Sequence, residues 1–239
     1  MDFNRYKILT FDCYGTLIDW EKPISTRFRA ALDRVCPTVS DDLILIAFAN
    51  YQARHQATIP FLDYPDVLRR AYRDVLNGFG LNASPRDADT FADSVGEWPP
   101  FTDTLAALSY LGRHFRLGIL SNVDNASMQR TLQKLEAPME LVVTAEDVSS
   151  YKPALPHFER AIRHLYERGF SRHEILHVAQ SKRHDHEPAA RLGLASMWVN
   201  RQHARDGVGL VLPAQVAPTH SVNSLAELVD LHRASFSAP

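Results

Sequence analysis

Short apolar runs alternate with longer amphipathic stretches along most of the chain. The apolar runs, which are typical of strands buried in a parallel sheet, cover residues 8–11, 117–120, 141–144, 175–179 and 197–200. Between most of them, hydrophobic residues recur three and four positions apart, as they do on the buried face of a helix. This alternation predicts an α/β fold with a doubly wound, mostly parallel sheet and right-handed crossovers.

One part of the chain, residues 18–97, breaks the alternation and predicts helices only. Four helical stripes are expected, at 23–35, 43–56, 67–78 and 84–95. Proline in the first turn, or serine and aspartate at the N-terminus, marks where they begin. The sequence therefore predicts a core domain of residues 1–17 and 98–239, with a helical domain of residues 18–97 inserted into it.

The C-terminal part of the chain follows the same alternation for one more strand. Residues 197–200 are expected to form the last strand of the core. A Gly- and Val-rich stretch at 206–212 predicts a hairpin or loop, and the apolar spacing at 224–232 predicts a closing helix.

Composition narrows the class of protein. With 239 residues, 45% hydrophobic and 23% charged, the chain has the make-up of an ordinary globular protein. The net charge of -2, without a basic cluster, favours neither nucleic acid nor a membrane surface as a partner. No long apolar run or signal pattern is present, which predicts a cytoplasmic location. Two cysteines, Cys13 and Cys36, do not form a disulfide framework.

Reactive side chains stand where the predicted strands end. The first strand ends in Asp12, the second in Ser121 and Asn122, and Asp185 follows the fourth. Lys152, one of only five lysines, precedes a proline at the head of a predicted helix. Because open α/β sheets bind ligands at the carboxyl ends of their strands, Asp12 is expected to face a ligand. A carboxylate in such a place can act as a covalent nucleophile.

The spacing of these residues resembles the haloacid dehalogenase (HAD) superfamily. The sequence from Asp12 to Leu17, Asp-Cys-Tyr-Gly-Thr-Leu, is similar to motif I, and Ser121-Asn122 and Lys152-Pro153 resemble motifs II and III. Residues 180–193, with Asp185, resemble motif IV, and the helical stretch occupies the place of the family's cap domain.

One position of motif I separates the subclasses of this superfamily. Phosphatases carry a second aspartate two residues after the first, since an alkoxide leaving group must receive a proton. This chain has Tyr14 there, and a tyrosine with a pKa near ~10 is a poor acid at neutral pH. A halide ion leaves without a proton. The motif therefore resembles that of the L-2-haloacid dehalogenases.

The resemblance implies a hydrolysis in two displacements. Asp12 would attack the carbon that carries the halogen of a small 2-haloacid, and water would then attack the resulting ester at the Asp12 carbonyl. Lys152 would lower the pKa of Asp12, and Asp185 would position or deprotonate the water. Thr16 and Ser121 would bind the nucleophile and the substrate carboxylate. No metal or other cofactor is expected, because a monoanion is repelled less than a phosphate dianion.

Further residues complete the expected substrate pocket. Tyr14 lies beside the nucleophile, and Cys13 is expected to contribute backbone and packing. Arg54 is the nearest candidate for the family's halide-binding arginine. Asn122 and His184 are candidate halide contacts. The resemblance also implies a homodimer formed through an exposed apolar side of the cap.

Three alternatives to this reading stay open. The cluster at 184–187, His-Asp-His-Glu, could be a metal site, but its spacing lacks the i, i+4 pattern of a zinc helix and favours a solvated helix start. The enzyme could be a phosphatase or phosphonate hydrolase of the same superfamily. The chain could also be a non-catalytic binding protein, because its motif IV has Gln180 and Lys182 where dehalogenases carry serine and asparagine.

Overall fold

The computed structural model describes residues 1–33, 35–203 and 216–236, and its centre is a six-stranded sheet. The strands are all parallel and lie in the order β3-β2-β1-β4-β5-β6. Their bounds are β1 Ile8–Phe11, β2 Arg116–Ser121, β3 Leu141–Thr144, β4 Ile175–Ala179, β5 Ala195–Val199 and β6 His220–Val222. The predicted doubly wound α/β fold is confirmed.

Four helices follow one another between β1 and the rest of the sheet. They are α1 Glu21–Leu32, α2 Asp41–Gln56, α3 Tyr64–Gly78 and α4 Pro85–Asp93, with a short 3-10 helix at Val95–Glu97. Ser40 and Ser84 cap α2 and α4 by accepting backbone N–H bonds, as the sequence signals indicate. We call residues 18–97 the helical insert.

The remaining helices cover the sheet on both faces. They are α5 Thr104–Leu111, α6 Asn125–Leu135, α7 Ala145–Val148, α8 Pro156–Glu167, α9 Glu187–Arg191 and α10 Leu225–Phe236. Successive residues of β1 point to opposite faces, so Leu9 belongs to one apolar cluster and Ile8 to another. The insert packs into the cluster that contains Leu9.

The register of the sheet aligns the strand ends that carry polar residues. In β1, Phe11 lies opposite Ile119 of β2 and Val178 of β4. Asp12 therefore leaves the centre of the sheet between the ends of its two neighbours. This is the edge at which ligands bind in open α/β sheets.

An aromatic cluster holds the insert together. The ring centroid of Phe28 from α1 lies 6.1 Å from that of Phe48, 5.0 Å from Tyr72 and 5.5 Å from Phe91. Phe28, Phe48 and Phe91 are almost completely buried. One aromatic residue from each of the four helices meets here, which fixes how the helices turn about their axes.

The C-terminal part of the sheet differs from the sequence-based prediction. The strand expected at 197–200 begins two residues earlier, and it is not the last, since β6 adds three residues beyond it. A three-residue strand is too short to show a hydrophobic period. The closing helix continues to Phe236. The hairpin or loop predicted at 206–212 lies outside the described residues.

Among the residues that are described, no helix is long and apolar enough to cross a membrane.

We expect Phe28→Ala to lower the free energy of unfolding by about 3–5 kcal/mol, because it leaves a cavity among rings that cannot collapse fully. Leu43→Ala is the matched control: Leu43 is 56% exposed on α2, and its loss should cost within about 0.5 kcal/mol. Urea unfolding measures both. Equal losses in the two variants would contradict this account of the insert.

Candidate active site

The turn after β1 presents Asp12 at the edge of the sheet. The Asp12 amide still donates to the Val178 carbonyl of β4, at 3.1 Å, and the chain then turns back on itself. The Cys13 carbonyl accepts the amides of Leu17 and Ile18, at 2.7 and 3.0 Å. Gly15 has a φ of +97°, and a Cβ there would lie 2.9 Å from the Trp20 ring nitrogen. The turn therefore requires glycine at this position.

Thr16 fixes one oxygen of the Asp12 carboxylate. Its hydroxyl donates to Asp12 Oδ2 at 2.8 Å and accepts the backbone N–H of Gln180 at 2.9 Å. Gln180 follows β4, so the hydroxyl joins the turn to the end of the neighbouring strand. Asp12 Oδ1 is left to face the other strand ends.

Lys152 binds the second oxygen of Asp12 and connects three parts of the core. Its Nζ donates to Asp12 Oδ1 at 2.9 Å, to Asp185 Oδ1 at 2.6 Å and to the Leu120 carbonyl at 2.7 Å. The side chain is 1% exposed. All three ammonium protons are thus used, which a buried lysine needs to offset its lost hydration.

Asn122 holds the backbone that carries Lys152. Its amide nitrogen donates to the Lys152 carbonyl at 3.0 Å, and its amide oxygen accepts the Lys152 N–H at 2.7 Å. The side chain lines the cavity, yet its main contacts are with backbone. Asn122 therefore positions the backbone of Lys152, and a contact with halide, as predicted, would have to share the same amide group.

The electrostatic balance of the site differs from expectation at Asp12. Burial raises the pKa of Asp12, while Lys152 opposes the rise and the Asp185 carboxylate adds to it, so the net direction is upward. The sequence predicted a lowering by Lys152 alone. The ammonium is shared between two carboxylates, and a sequence does not show how deeply the pair is buried.

Asp185 has the opposite balance. Burial alone would raise its pKa, but Lys152 and a hydrogen bond from His177 outweigh that effect and place its pKa below the ordinary value. His177 Nε2 lies 3.0 Å from Asp185 Oδ1. The other oxygen, Oδ2, is buried without a partner among the described residues. It is the atom of Asp185 that is free to meet a water molecule.

The segment around Asp185 is not the solvated helix start that the sequence suggested. Residues Lys182–His186 form one turn of π-helix, in which Asp185 and His186 are almost completely buried. His186 lies 2.9 Å from the Ser196 hydroxyl and 3.0 Å from the Ala179 carbonyl. Burial lowers its pKa to about 4, so the ring is neutral near pH 7. Within the described ranges, no group of three or more His, Cys, Asp or Glu side chains is arranged to hold a metal ion.

A cavity of about 110 Å³ lies between the sheet edge and the insert. Asp12, Lys152 and Asp185 form part of its lining on the core side. The insert contributes apolar and amide side chains, which are Trp20, Ile24, Phe48, Ala49, Gln52, Ala53, Gln56 and Tyr64. This volume suits a molecule of a few non-hydrogen atoms and is well below the roughly 300–1,000 Å³ of sites for larger ligands.

Most of the other predicted pocket residues lie at this cavity. Tyr14, Ser121, Asn122 and His184 line it. The Tyr14 hydroxyl bonds Thr131 Oγ1 at 2.7 Å, and burial raises its pKa well above the ordinary value. Ser121 Oγ is buried without a partner among the described residues, so it remains available to a ligand.

Two of the residues predicted for the substrate pocket are not part of its lining. Arg54 is exposed on the outer side of α2, whereas its neighbours Gln52 and Ala53 face the cavity. The assignment of Arg54 as a halide-binding residue is therefore not supported by its position. Cys13 is buried behind the turn, and burial raises its thiol pKa well above the ordinary value. Cys13 therefore contributes its backbone carbonyl and its packing, as expected.

Sequence reasoning missed several residues that line the cavity or contact its lining residues. His177 lies in the middle of β4, and a single polar residue in an otherwise apolar strand was the available signal. Gln52 and Gln56, four positions apart on α2, share the face that meets the cavity. His157 Nε2 lies 3.2 Å from the Ser121 carbonyl, and burial lowers its pKa to about 3.

Comparisons with known proteins identify the family of this chain. Residues 6–193 match the profile of the haloacid dehalogenase-like hydrolase family. The chain belongs to that family. It is therefore a hydrolase of the HAD superfamily, as its motifs predict.

Similar structures share the fold at low identity. L-2-haloacid dehalogenase from Xanthobacter autotrophicus superposes with a TM-score of 0.77 and 19% identity, over 95% of this chain and 98% of that one. The structure of that enzyme with chloropropionic acid covalently bound gives 0.76 and 22%, with the same coverage. Identities this low show the fold alone.

A curated relative carries the name of a different activity. Pyrimidine 5'-nucleotidase YjjG from Escherichia coli (strain K12) is 28% identical over 155 residues, which is 63% of this chain. The match spans 65% of the nucleotidase, just under two thirds of its length.

We expect Lys152→Met to destabilise the protein by about 3–5 kcal/mol at about pH 7, because two buried carboxylates lose their shared partner. Unpaired, their pKa values rise above those in the unfolded chain, so the loss should be smaller at about pH 5, where protonation removes the buried charge. Urea unfolding at both pH values measures this.

The control for that experiment is Lys134→Met. Lys134 makes an ion pair with Glu97 at 3.2 Å near the surface, and its loss should cost no more than about 1 kcal/mol at either pH. A Lys152→Met deficit that stayed constant between the two pH values would argue against a shared buried charge.

Proposed function

We propose that the protein hydrolyses the carbon–halogen bond of small 2-haloalkanoic acids to give 2-hydroxyacids. The observation that carries the proposal is a buried carboxylate, Asp12, at the floor of a cavity of about 110 Å³, with Tyr14 where a proton donor would be needed for an alkoxide. A leaving halide ion takes the bonding electron pair and needs no proton.

In the first displacement, a carboxylate oxygen of Asp12 attacks the carbon that bears the halogen. A carbon–oxygen bond forms, the carbon–halogen bond breaks, and halide leaves. Thr16 and Lys152 hold the two carboxylate oxygens, at 2.8 and 2.9 Å, so the nucleophile is oriented before the substrate enters. Burial excludes water that would otherwise solvate the attacking carboxylate.

In the second displacement, water attacks the carbonyl carbon of the Asp12 ester. Asp185 Oδ2 takes a proton from that water, and the hydroxyl oxygen joins Asp12. The ester bond to the substrate then breaks, and the departing alkoxide takes the proton back from Asp185 to give the 2-hydroxyacid. Asp12 loses its new proton to solvent and is again ionised. Because Asp185 has a pKa below its ordinary value, it is ionised near neutral pH, as a proton acceptor must be, and its fixed place beside the ester compensates for its low basicity.

Neutral donors surround the position of the substrate. Ser121 Oγ has no partner among the described residues and is available to the substrate carboxylate. Gln52, Gln56 and His184 line the rest of the cavity. Burial lowers the pKa of His184 to about 4, so its ring is neutral at pH 7 and one nitrogen carries a hydrogen that a leaving halide could accept.

A phosphatase is the second candidate, favoured by the similarity to a nucleotidase. Among the described lining residues, Lys152 is the one cationic side chain, and it already faces two carboxylates. A phosphate dianion would therefore be repelled. The residues also fit Mg²⁺ poorly, because Lys152 already binds one oxygen of each of the two carboxylates, and these are the acidic side chains of the described lining.

Steady-state assays separate the candidates. We expect halide release from chloroacetate, bromoacetate or 2-chloropropionate without added metal, and no comparable release of phosphate from p-nitrophenyl phosphate or a pyrimidine nucleotide with Mg²⁺. Asp12→Asn should lower halide release by at least about 10³-fold, since covalent catalysis loses its nucleophile. The control is Asp33→Asn, at an exposed position after α1, which should leave the rate unchanged.

Each other outcome has a definite meaning. Phosphate release alone would overturn the proposal in favour of the second candidate. Silence on every substrate would mean that neither candidate reaction takes place and would overturn the proposal. Full activity in Asp12→Asn would exclude Asp12 as the nucleophile.

A further inference from the structure

His177 lies beneath the active site with both ring nitrogens engaged. It is in the middle of β4 and is completely buried. Nε2 lies 3.0 Å from Asp185 Oδ1, and Nδ1 lies 2.9 Å from the Thr10 hydroxyl of β1. The Phe158 ring packs against it edge to face, with centroids 5.0 Å apart. The imidazole therefore has one position in the core.

We propose that His177 is a positioning residue for the second displacement: together with Lys152 it holds Asp185 Oδ1, which leaves Oδ2 as the single oxygen that can take the proton of the attacking water. This inference rests on the proposed dehalogenase reaction. It adds to that reaction a residue that never touches the substrate.

The hydrogen positions follow from the partners. Asp185 is ionised, since its pKa lies below the ordinary value, and a carboxylate only accepts hydrogen bonds. Nε2 of His177 therefore carries the hydrogen. If that is the ring's one hydrogen, Nδ1 accepts the Thr10 hydroxyl hydrogen. Thr10 is almost completely buried, so this hydroxyl has no competing contact with bulk solvent.

Two donors on one oxygen restrict how Asp185 can turn. With Lys152 at 2.6 Å and His177 at 3.0 Å, Oδ1 cannot exchange places with Oδ2 unless both hydrogen bonds break. Oδ2 is buried without a partner among the described residues, and Asp185 lines the cavity. The free oxygen is therefore held ready for water instead of alternating with its neighbour.

The two displacements should depend on His177 to different extents. The first transfers no proton, and Thr16 and Lys152 orient Asp12 directly. The second needs a proton acceptor in a fixed place. Loss of His177 should therefore slow hydrolysis of the ester while leaving its formation largely intact. If the histidine served only to pack the core, its loss would not affect the rates of ester formation and ester hydrolysis differently.

The experiment follows both steps in a single turnover of the whole protein with chloroacetate or 2-chloropropionate. Rapid quenching gives the halide burst, and mass spectrometry of the peptide that contains Asp12 gives the ester. In His177→Phe we expect a burst within about threefold of the wild-type rate, ester hydrolysis slowed at least about tenfold, and ester accumulation, because only proton-transfer catalysis is impaired.

Two further variants keep the test decisive if His177→Phe does not fold. His177→Gln retains an N–H donor and should recover a large part of the hydrolysis rate. Thr10→Val removes the bond on the far side of the ring alone and should slow hydrolysis by only about threefold, with ester still detectable. Unchanged hydrolysis in all folded variants, or an equal fall of burst and hydrolysis, would overturn the inference.

A measurement without turnover separates this inference from the proposed function. Carbon-13 NMR titration of the aspartate carboxyls reports the pKa of Asp185 directly. We expect that pKa to rise in His177→Phe or His177→Gln relative to the wild type, more in the former, even if no haloacid is a substrate. An unchanged Asp185 pKa would overturn the hold of His177 on Asp185 even in an active enzyme. A wild-type protein that releases no halide would overturn the proposed reaction, and with it the role in the second displacement, while a shifted pKa would still show the contact.

Discussion

The active-site edge of the sheet depends on one ammonium group between two buried carboxylates. The Lys152 ammonium donates one hydrogen bond to Asp12, one to Asp185 and one to a backbone carbonyl. Two carboxylates this close repel each other, and their burial strengthens the repulsion. Each member of this group has a further hydrogen bond. Thr16 binds Asp12, Asn122 binds the backbone of Lys152, and His177 binds Asp185. The site is rigid because every charged atom but one oxygen has its partner.

The charge of this group also limits what the cavity can accept. Two carboxylates and one ammonium leave a net negative charge, and the remaining described lining is apolar, amide, hydroxyl or neutral imidazole. A small monoanion meets less repulsion there than a dianion. The apolar and amide side chains of the insert close the cavity at a volume of about 110 Å³. Charge and size thus favour the same class of substrate.

Part of this arrangement can be predicted from sequence, because strand ends and short motifs are visible in local stretches of the chain. Asp12 ends a predicted strand, so it could be placed at the ligand-binding edge of the sheet. Ser121 and Asp185 could be added to the same site because their motifs resemble those of the family. What depends on packing could not be predicted. The rotation of α2 about its axis, set by the Phe28 cluster, turns Gln52 inward and leaves Arg54 exposed. The burial of His186 and the partners of His177 depend on contacts between elements that no local pattern encodes.

The central claim is that water attacks the enzyme and not the substrate. A single turnover in water enriched in oxygen-18, with enzyme in excess over 2-chloropropionate, tests it directly. The account predicts that the heavy oxygen enters the Asp12 carboxylate and that the 2-hydroxyacid carries the ordinary oxygen that Asp12 gave up. Heavy oxygen in the product with none in Asp12 would mean that water displaces the halide directly, and would contradict the account.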